Sequence, residues 1–471
     1  METKAIARNY LVQFGSRVVA VTLGLLTLAV MTRALGDTGF GQFTTAVTYL
    51  QVVAVLVDLG LTLVFIQMIS TPGADEDRIS SALLGLRLLS NALVFAIAVF
   101  FAFLTPYELV IRLAIAVGAV GYLALSTTGM LTGFFQKHLA MWRAASAEII
   151  NRVLTLIFII LAAWADYGVV AMVSVIAFSN LVQMLILIVL AQRFVRLRPT
   201  IDVAIWKSAV SVSWPIGLSI FFNLLYLKSD VLILGLYYPQ SEVGVYGAAY
   251  RVLDVFTALP VMYMGLVLPH LVASWANRLK DEFNRTLQQT FDFFSVAVLP
   301  ILFGTPLVAV PLMILVAGGE FERSGAVLPI LMLAMLPIFT GAMTGHAIVA
   351  LNKQRVMLWG YAFTAAVALA GYFIFIPLFG ITGAAWMTVA SEILINTLTA
   401  FVVMRTSGWR PRLTIPAKAL IASVLMTLVL LALPSLHVLI TILLAAVFYS
   451  AAIVALGGIK LKLVQDLLER R

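Results

Sequence analysis

Fourteen runs of about 20 mostly apolar residues, separated by short polar turns, leave this chain few ways to fold. Backbone polar groups in hydrocarbon need internal partners, so only helices or closed barrels cross a bilayer. Barrel strands would show short segments of alternating polarity, and these runs are long and continuous. The chain is 62% hydrophobic and only 11% charged, with a mean hydropathy of +1.07, whereas soluble chains carry roughly a quarter charged residues. The expected class is an all-α polytopic membrane protein. The absence of cysteine excludes disulfides and thiolate metal sites.

The spans fall at 10–32, 43–68, 82–104, 108–134, 141–164, 169–190, 208–236, 244–274, 291–316, 327–351, 357–379, 384–404, 416–433 and 436–456. The first is no signal peptide: its apolar run is long, holds Arg17 and lacks a small-residue cleavage site. Most of the 30 basic residues lie in the two tails and the even-numbered loops, among them Lys4, Arg78, Lys137, Arg193, Arg196, Arg198, Arg278, Lys353 and Arg412. The opposite loops hold only Arg33 and Arg323. The positive-inside rule then places both termini in the cytoplasm. It also explains the net charge of +9 by topology, with no nucleic-acid partner.

A weak internal repeat is visible. Gly41-Gln-Phe43 resembles Gly244-Val-Tyr246, Phe135-Gln-Lys137 resembles Leu351-Asn-Lys353, and Tyr167-Gly-Val169 resembles Phe379-Gly-Ile381. Each pair is separated by an even number of spans, which points to two parallel six-helix halves around a central cleft. The reading is an N-lobe over 1–190, a cytoplasmic linker over 191–207, a C-lobe over 208–405, and two added helices with a tail over 406–471. Prolines concentrate in spans seven to ten, including Pro215, Pro260, Pro300, Pro306 and Pro337, so helix bending is expected in the second half.

Charges inside spans are costly and are functional candidates by default. The cations Arg17, Arg152, Lys228 and Arg251 are expected to bind an anionic head group, because a guanidinium fork suits pyrophosphate oxygens. Arg17 and Lys228 have no acid at helical spacing on the same face. Asp58, Glu148, Asp230, Asp254 and Glu392 are expected to pair with such cations or to bind a coupling ion, proton or sodium. Glu148 and Arg152 stand four apart in the favourable order, so a structural ion pair is an equal reading. Arg87, about five residues from its span's inner edge, is expected to snorkel. The aromatics Trp142, Phe221, Phe222, Tyr226, Tyr246 and Tyr250 suit either packing or sugar stacking, with packing favoured. Gly129 and Gly133 form a GxxxG for close helix approach. No Gly-Lys dipeptide, hence no P-loop, occurs, and no HExxH. No catalytic residue or cofactor is expected; the chain reads as a transporter, not an enzyme.

An acidic residue deep in one helix, a turn with Val-Gly-Val-Tyr246, then Ala-Ala-Tyr-Arg251 running to Pro260 resembles the second-half signature of Wzx-type polysaccharide flippases. These belong to the multidrug/oligosaccharidyl-lipid/polysaccharide exporter superfamily. Leu35-Gly-Asp-Thr-Gly-Phe-Gly41, Ser213-Trp-Pro215 and Gly380-Ile-Thr-Gly-Ala-Ala385 are similar to further family patterns. The resemblance implies a flippase in the bacterial inner membrane. It would move undecaprenyl-pyrophosphate-linked oligosaccharide units to the outer leaflet by ion-coupled alternating access, for O-antigen or exopolysaccharide synthesis. Its partners would be membrane lipids and polysaccharide assembly proteins. A lipid II flippase and a cation-coupled drug exporter of the same superfamily stay open, as does, from another class, a membrane glycan polymerase.

Overall fold

A computed structural model describes the backbone of residues 2–434 and 436–458, and their side chains except those of 2–14, 17, 18, 215 and 216. All regular structure among the described residues is helical, with no strand. The first helices are α1 (Glu2–Asp58), α2 (Leu61–Ser70), α3 (Glu76–Leu104), α4 (Leu109–Lys137) and α5 (Met141–Trp164). They are followed by α6 (Val169–Ala191), α7 (Val203–Tyr237), α8 (Gln240–Ala276) and α9 (Lys280–Ala317). The chain ends with α10 (Ser324–Met332), α11 (Met335–Ala350), α12 (Gln354–Ser407), α13 (Thr414–Ala432) and α14 (Val438–Ala455).

Twelve stretches are long and apolar enough to cross a membrane. Two of them run to 52 and 54 residues, about 80 Å of helix and over twice a hydrocarbon core. Each is broken at a glycine with positive φ, Gly36 at 66° and Gly380 at 58°. At Gly380 the chain demonstrably folds back. Tyr372 and Thr388 hydroxyls lie 3.3 Å apart, whereas 16 residues of straight helix would part them by about 24 Å. Reading both as helix pairs restores the fourteen crossings expected from the sequence. Span ten is also divided, between α10 and α11. Pro337, lacking an N–H, cannot bond the Leu333 carbonyl, and the helix restarts there.

The chain packs as two compact units, residues 1–247 and 248–471. The sequence reading placed the border in the 191–207 linker; in the structure α7 and the start of α8 belong to the first unit. In that unit α2 lies on α4, with Ile66 seated over Gly133, where an added Cβ would come within 2.8 Å. A core of Leu61, Phe65, Ile69, Leu84, Phe134 and Phe135 surrounds this seam. The linker is strapped along the start of α3. Arg196 N–H donates to Asp77, Thr200 N–H donates to the Ser81 carbonyl, and Val195 and Leu197 are buried. Arg78 closes the strap on Asp202 at 2.7 Å. That guanidinium holds the Asp202 carboxyl below the usual carboxylate range.

The repeat has a structural counterpart here. The second arm of α1 crosses the start of α8 so closely that a Cβ on Gly41 would lie 1.7 Å from the Gln240 carbonyl oxygen. One on Gly244 would lie 1.9 Å from the Asp37 carbonyl oxygen, and one on Gly247 would lie 2.7 Å from Thr44. Asp37 and Gln240, Gly41 and Gly244, Thr44 and Gly247 are each 203 positions apart. Repeat-equivalent residues therefore meet each other across a local pseudo-two-fold. The second unit packs α13 and α14 on α9 through Leu299, Ala422, Met426, Tyr449 and Ile453. The Tyr449 hydroxyl donates to the Val296 carbonyl at 2.7 Å.

Candidate functional site

Asp58 is the last residue of α1, at a break in the second span. Its carboxylate receives Arg87 Nη1 at 2.5 Å and the Thr62 hydroxyl at 2.7 Å. Arg87 also donates to the Ser126 hydroxyl at 3.0 Å and to the Thr62 hydroxyl at 2.8 Å. With 2% of its surface exposed, Arg87 does not snorkel. The expectation fails because Arg87 continues the buried line of Leu83 and Asn91, which turns it into the unit and toward an acid. That line was the signal available in the sequence.

Glu148 and Arg152 approach to 3.9 Å on α5, a loose and partly exposed pair. On α7, Asp230 is fully buried. Its carboxylate accepts the Tyr246 hydroxyl at 2.6 Å and the Val231 N–H at 2.8 Å. Lys228 is partly buried and, like Glu148, Arg152, Asp230 and Asp254, is engaged in further interactions, so it is not the isolated charge its helix face suggested. Arg17 lies outside the described side chains. The sequence reading did not single out the polar pair at the crossing, where Thr45 donates to Gln240 at 2.8 Å.

In the second unit, Arg251 and Asp254 are partly buried on α8. Glu392, on the second arm of α12, is 5% exposed. It makes no hydrogen bond or ion pair among the described residues, and it interacts electrostatically with the Tyr361 phenol. His346 bonds back to the Ala342 carbonyl at 2.7 Å within α11. No three His, Asp or Glu side chains gather as a metal set among the described residues.

Among the aromatics, Tyr226, Tyr246 and Tyr250 are buried packing residues. Trp142 is half exposed and stacks against the Arg143 guanidinium at 5.2 Å. A hollow of about 800 Å³ in the second unit is lined by Phe291, Leu299, Thr340, Asn396 and Trp409 among others, and a second of about 560 Å³ by Phe375, Phe379 and Trp386. Both are apolar, and none of the candidate charges lines them. They suit hydrocarbon, not a charged head group.

The fold defines an all-helical, multi-pass membrane protein, with long helices broken at Gly36 and Gly380 and repeat-equivalent residues in contact. The lipid II flippase MurJ, in an inward closed conformation, superimposes with a TM-score of 0.75 over 95% of this chain and 98% of that one, at 13% identity. The fold is also similar to that of a MOP superfamily transporter from Pyrococcus furiosus, with a TM-score of 0.64 over 86% of this chain and 96% of that one, at 14% identity. The chain belongs to the polysaccharide biosynthesis protein family, which it matches over residues 6–275. A probable low-salt glycan biosynthesis flippase of Haloferax volcanii, Agl15, is 24% identical over 416 residues, 83% of this chain and 82% of that one.

Proposed function

We propose that this protein is a flippase for lipid-linked oligosaccharides, moving undecaprenyl-pyrophosphate-linked repeat units from the inner to the outer leaflet. The observation that carries the reading is the similarity to a glycan biosynthesis flippase across 83% of the chain. The chemistry of the spans supports it. Arg152, Lys228 and Arg251 stand in apolar helices, where each charge is expensive unless it meets an anion or water. A pyrophosphate carries several oxygens for charge-assisted bonds to them. The lipid tail stays in hydrocarbon, so only the head group crosses.

The step is a conformational exchange that forms and breaks no covalent bond. Its energy comes from an ion gradient, and Glu392 is the carboxyl we assign to the coupling proton or sodium. Asp58 is already neutralised by Arg87, and Asp230 already accepts two hydrogen bonds. Glu392 alone of these three has no bonded partner among the described residues. The setting is a bacterial plasma membrane, with O-antigen or exopolysaccharide as the product and assembly proteins acting downstream.

The test is transport of an undecaprenyl-pyrophosphate oligosaccharide into reconstituted vesicles. Wild type should move it, and Lys228→Ala and Arg251→Ala should each lower the rate at least about tenfold, the loss of one charge-assisted contact. Folded wild type that exports cationic dyes and moves no lipid-linked sugar would replace this reading with a drug exporter.

A further inference from the structure

The second span is broken inside the membrane. α1 ends at Asp58 and α2 begins at Leu61. Between them Leu59 and Gly60 both take positive φ, 38° and 77°. Glycine adopts that conformation freely, but a leucine does so only when its surroundings impose it. From the break to the end of α2 at Ser70 is ten residues, about 15 Å of helix and half the thickness of a hydrocarbon core. Discontinuous helices at mid-membrane are where transporters bend and bind.

Arg87 of α3 reaches across this break. Its Nη1 holds Asp58, the last residue before it, at 2.5 Å, and its Nη2 holds the Thr62 hydroxyl, just after it, at 2.8 Å. Nη1 is steadied by Ser126 of α4 at 3.0 Å. One planar fork thus spans both pieces of the helix, and Thr62 closes the ring by donating to Asp58. Beyond the break, α2 is an anchored stub. Leu61, Val64, Phe65 and Ile69 sit in the core against Phe134 and Phe135, and the Lys137 ammonium bonds the Ile69 carbonyl. On the other side, the backbone of α7 rests on the break itself, since a Cβ on Gly217 would come within 2.3 Å of the Leu59 Cα. α7 is the helix that carries Lys228 and Asp230.

We propose that Leu59–Gly60 is a hinge of the transport cycle, and that Arg87 is the positioning residue whose fork across the break sets how readily it bends. Movement of α7, started by head-group binding at Lys228, reaches the hinge through the contact at Gly217. The last step rests on the flippase reading; the hinge and its latch do not.

Two variants loosen the latch without leaving a buried charge alone. Arg87→Lys keeps a cation beside Asp58 but loses the fork, and Thr62→Val removes the hydroxyl that ties the second piece. Backbone hydrogen exchange across residues 55–64 is measured on reconstituted full-length protein, which needs no substrate. Exchange in that window should rise about tenfold in Arg87→Lys, and by less in Thr62→Val, with the rest of α2 and α4 unchanged. In vesicles loaded with undecaprenyl-pyrophosphate oligosaccharide, the maximal rate should shift several-fold at an unchanged half-saturating concentration. A merely structural kink would not give that split. Exchange that stays at the wild-type level in both variants overturns the hinge. So does faster exchange with an untouched maximal rate. Wild-type protein that moves no lipid-linked sugar overturns the flippase reading alone, and the exchange arm still decides the latch.

Discussion

Glu392 and Asp230 are both buried acids, 5% and 0% exposed, yet their surroundings assign them different work. Asp230 accepts from Tyr246 and its own neighbour's N–H, and the first of these bonds ties α7 to the start of α8. Glu392 has no such bonds among the described residues, and a carboxylate left that way is expensive unless it takes up a proton or a cation. Glu392→Gln keeps the shape and removes the ability to change charge. It should leave the fold and substrate binding intact while transport no longer responds to an imposed proton or sodium gradient. Transport by the variant that responds to the gradient like wild type would move the coupling site elsewhere. At this scale the sequence was informative about which residues are charged at depth, and silent about their partners. Arg87 and Asp58 are 29 positions apart, and only the packing of α3 beside the broken second span brings them together.

Between elements, the crossing of α1 and α8 has the least tolerance. Backbone carbonyls stand where the side chains of Gly41 and Gly244 would be, and carbonyls cannot rotate aside as a flexible side chain can. Gly41→Ala and Gly244→Ala should therefore each destabilise by at least about 1–3 kcal/mol through overpacking. Gly265→Ala, in the same α8 with open space around it, should be neutral or slightly stabilising, since alanine favours helix by about 1 kcal/mol. Thermal unfolding of the three purified variants gives the order. A Gly41→Ala protein that melts with wild type would mean the helices have room to separate. The repeat pairing of Gly41 with Gly244 was visible in the sequence. That the two residues touch was not, because a repeat states equivalence and leaves contact to the packing of the halves.

For the whole molecule, the distribution of Lys and Arg predicts that both termini and the strapped linker face the cytoplasm. Reporter fusions after residue 458 and in the 317–325 loop test it. A fluorescent protein that matures only in the cytoplasm should glow at the first site, and a phosphatase active only outside should work at the second. The reverse pattern would invert the topology. The all-helical class, the fourteen crossings and the broken helices at Gly36 and Gly380 follow from properties local to the chain: run length, hydropathy and glycine placement. Such terms add up residue by residue along a helix, so one sequence suffices to read them. The tertiary structure decided the burial of Arg87 against Asp58, the bond from Tyr246 to Asp230, the burial of Glu392 and the placing of α7 in the first unit. Each depends on which face of a helix meets which neighbour. In a membrane protein, apolar residues surround the helix on every side, so hydropathy does not mark the inward face, and only packing between distant segments selects it.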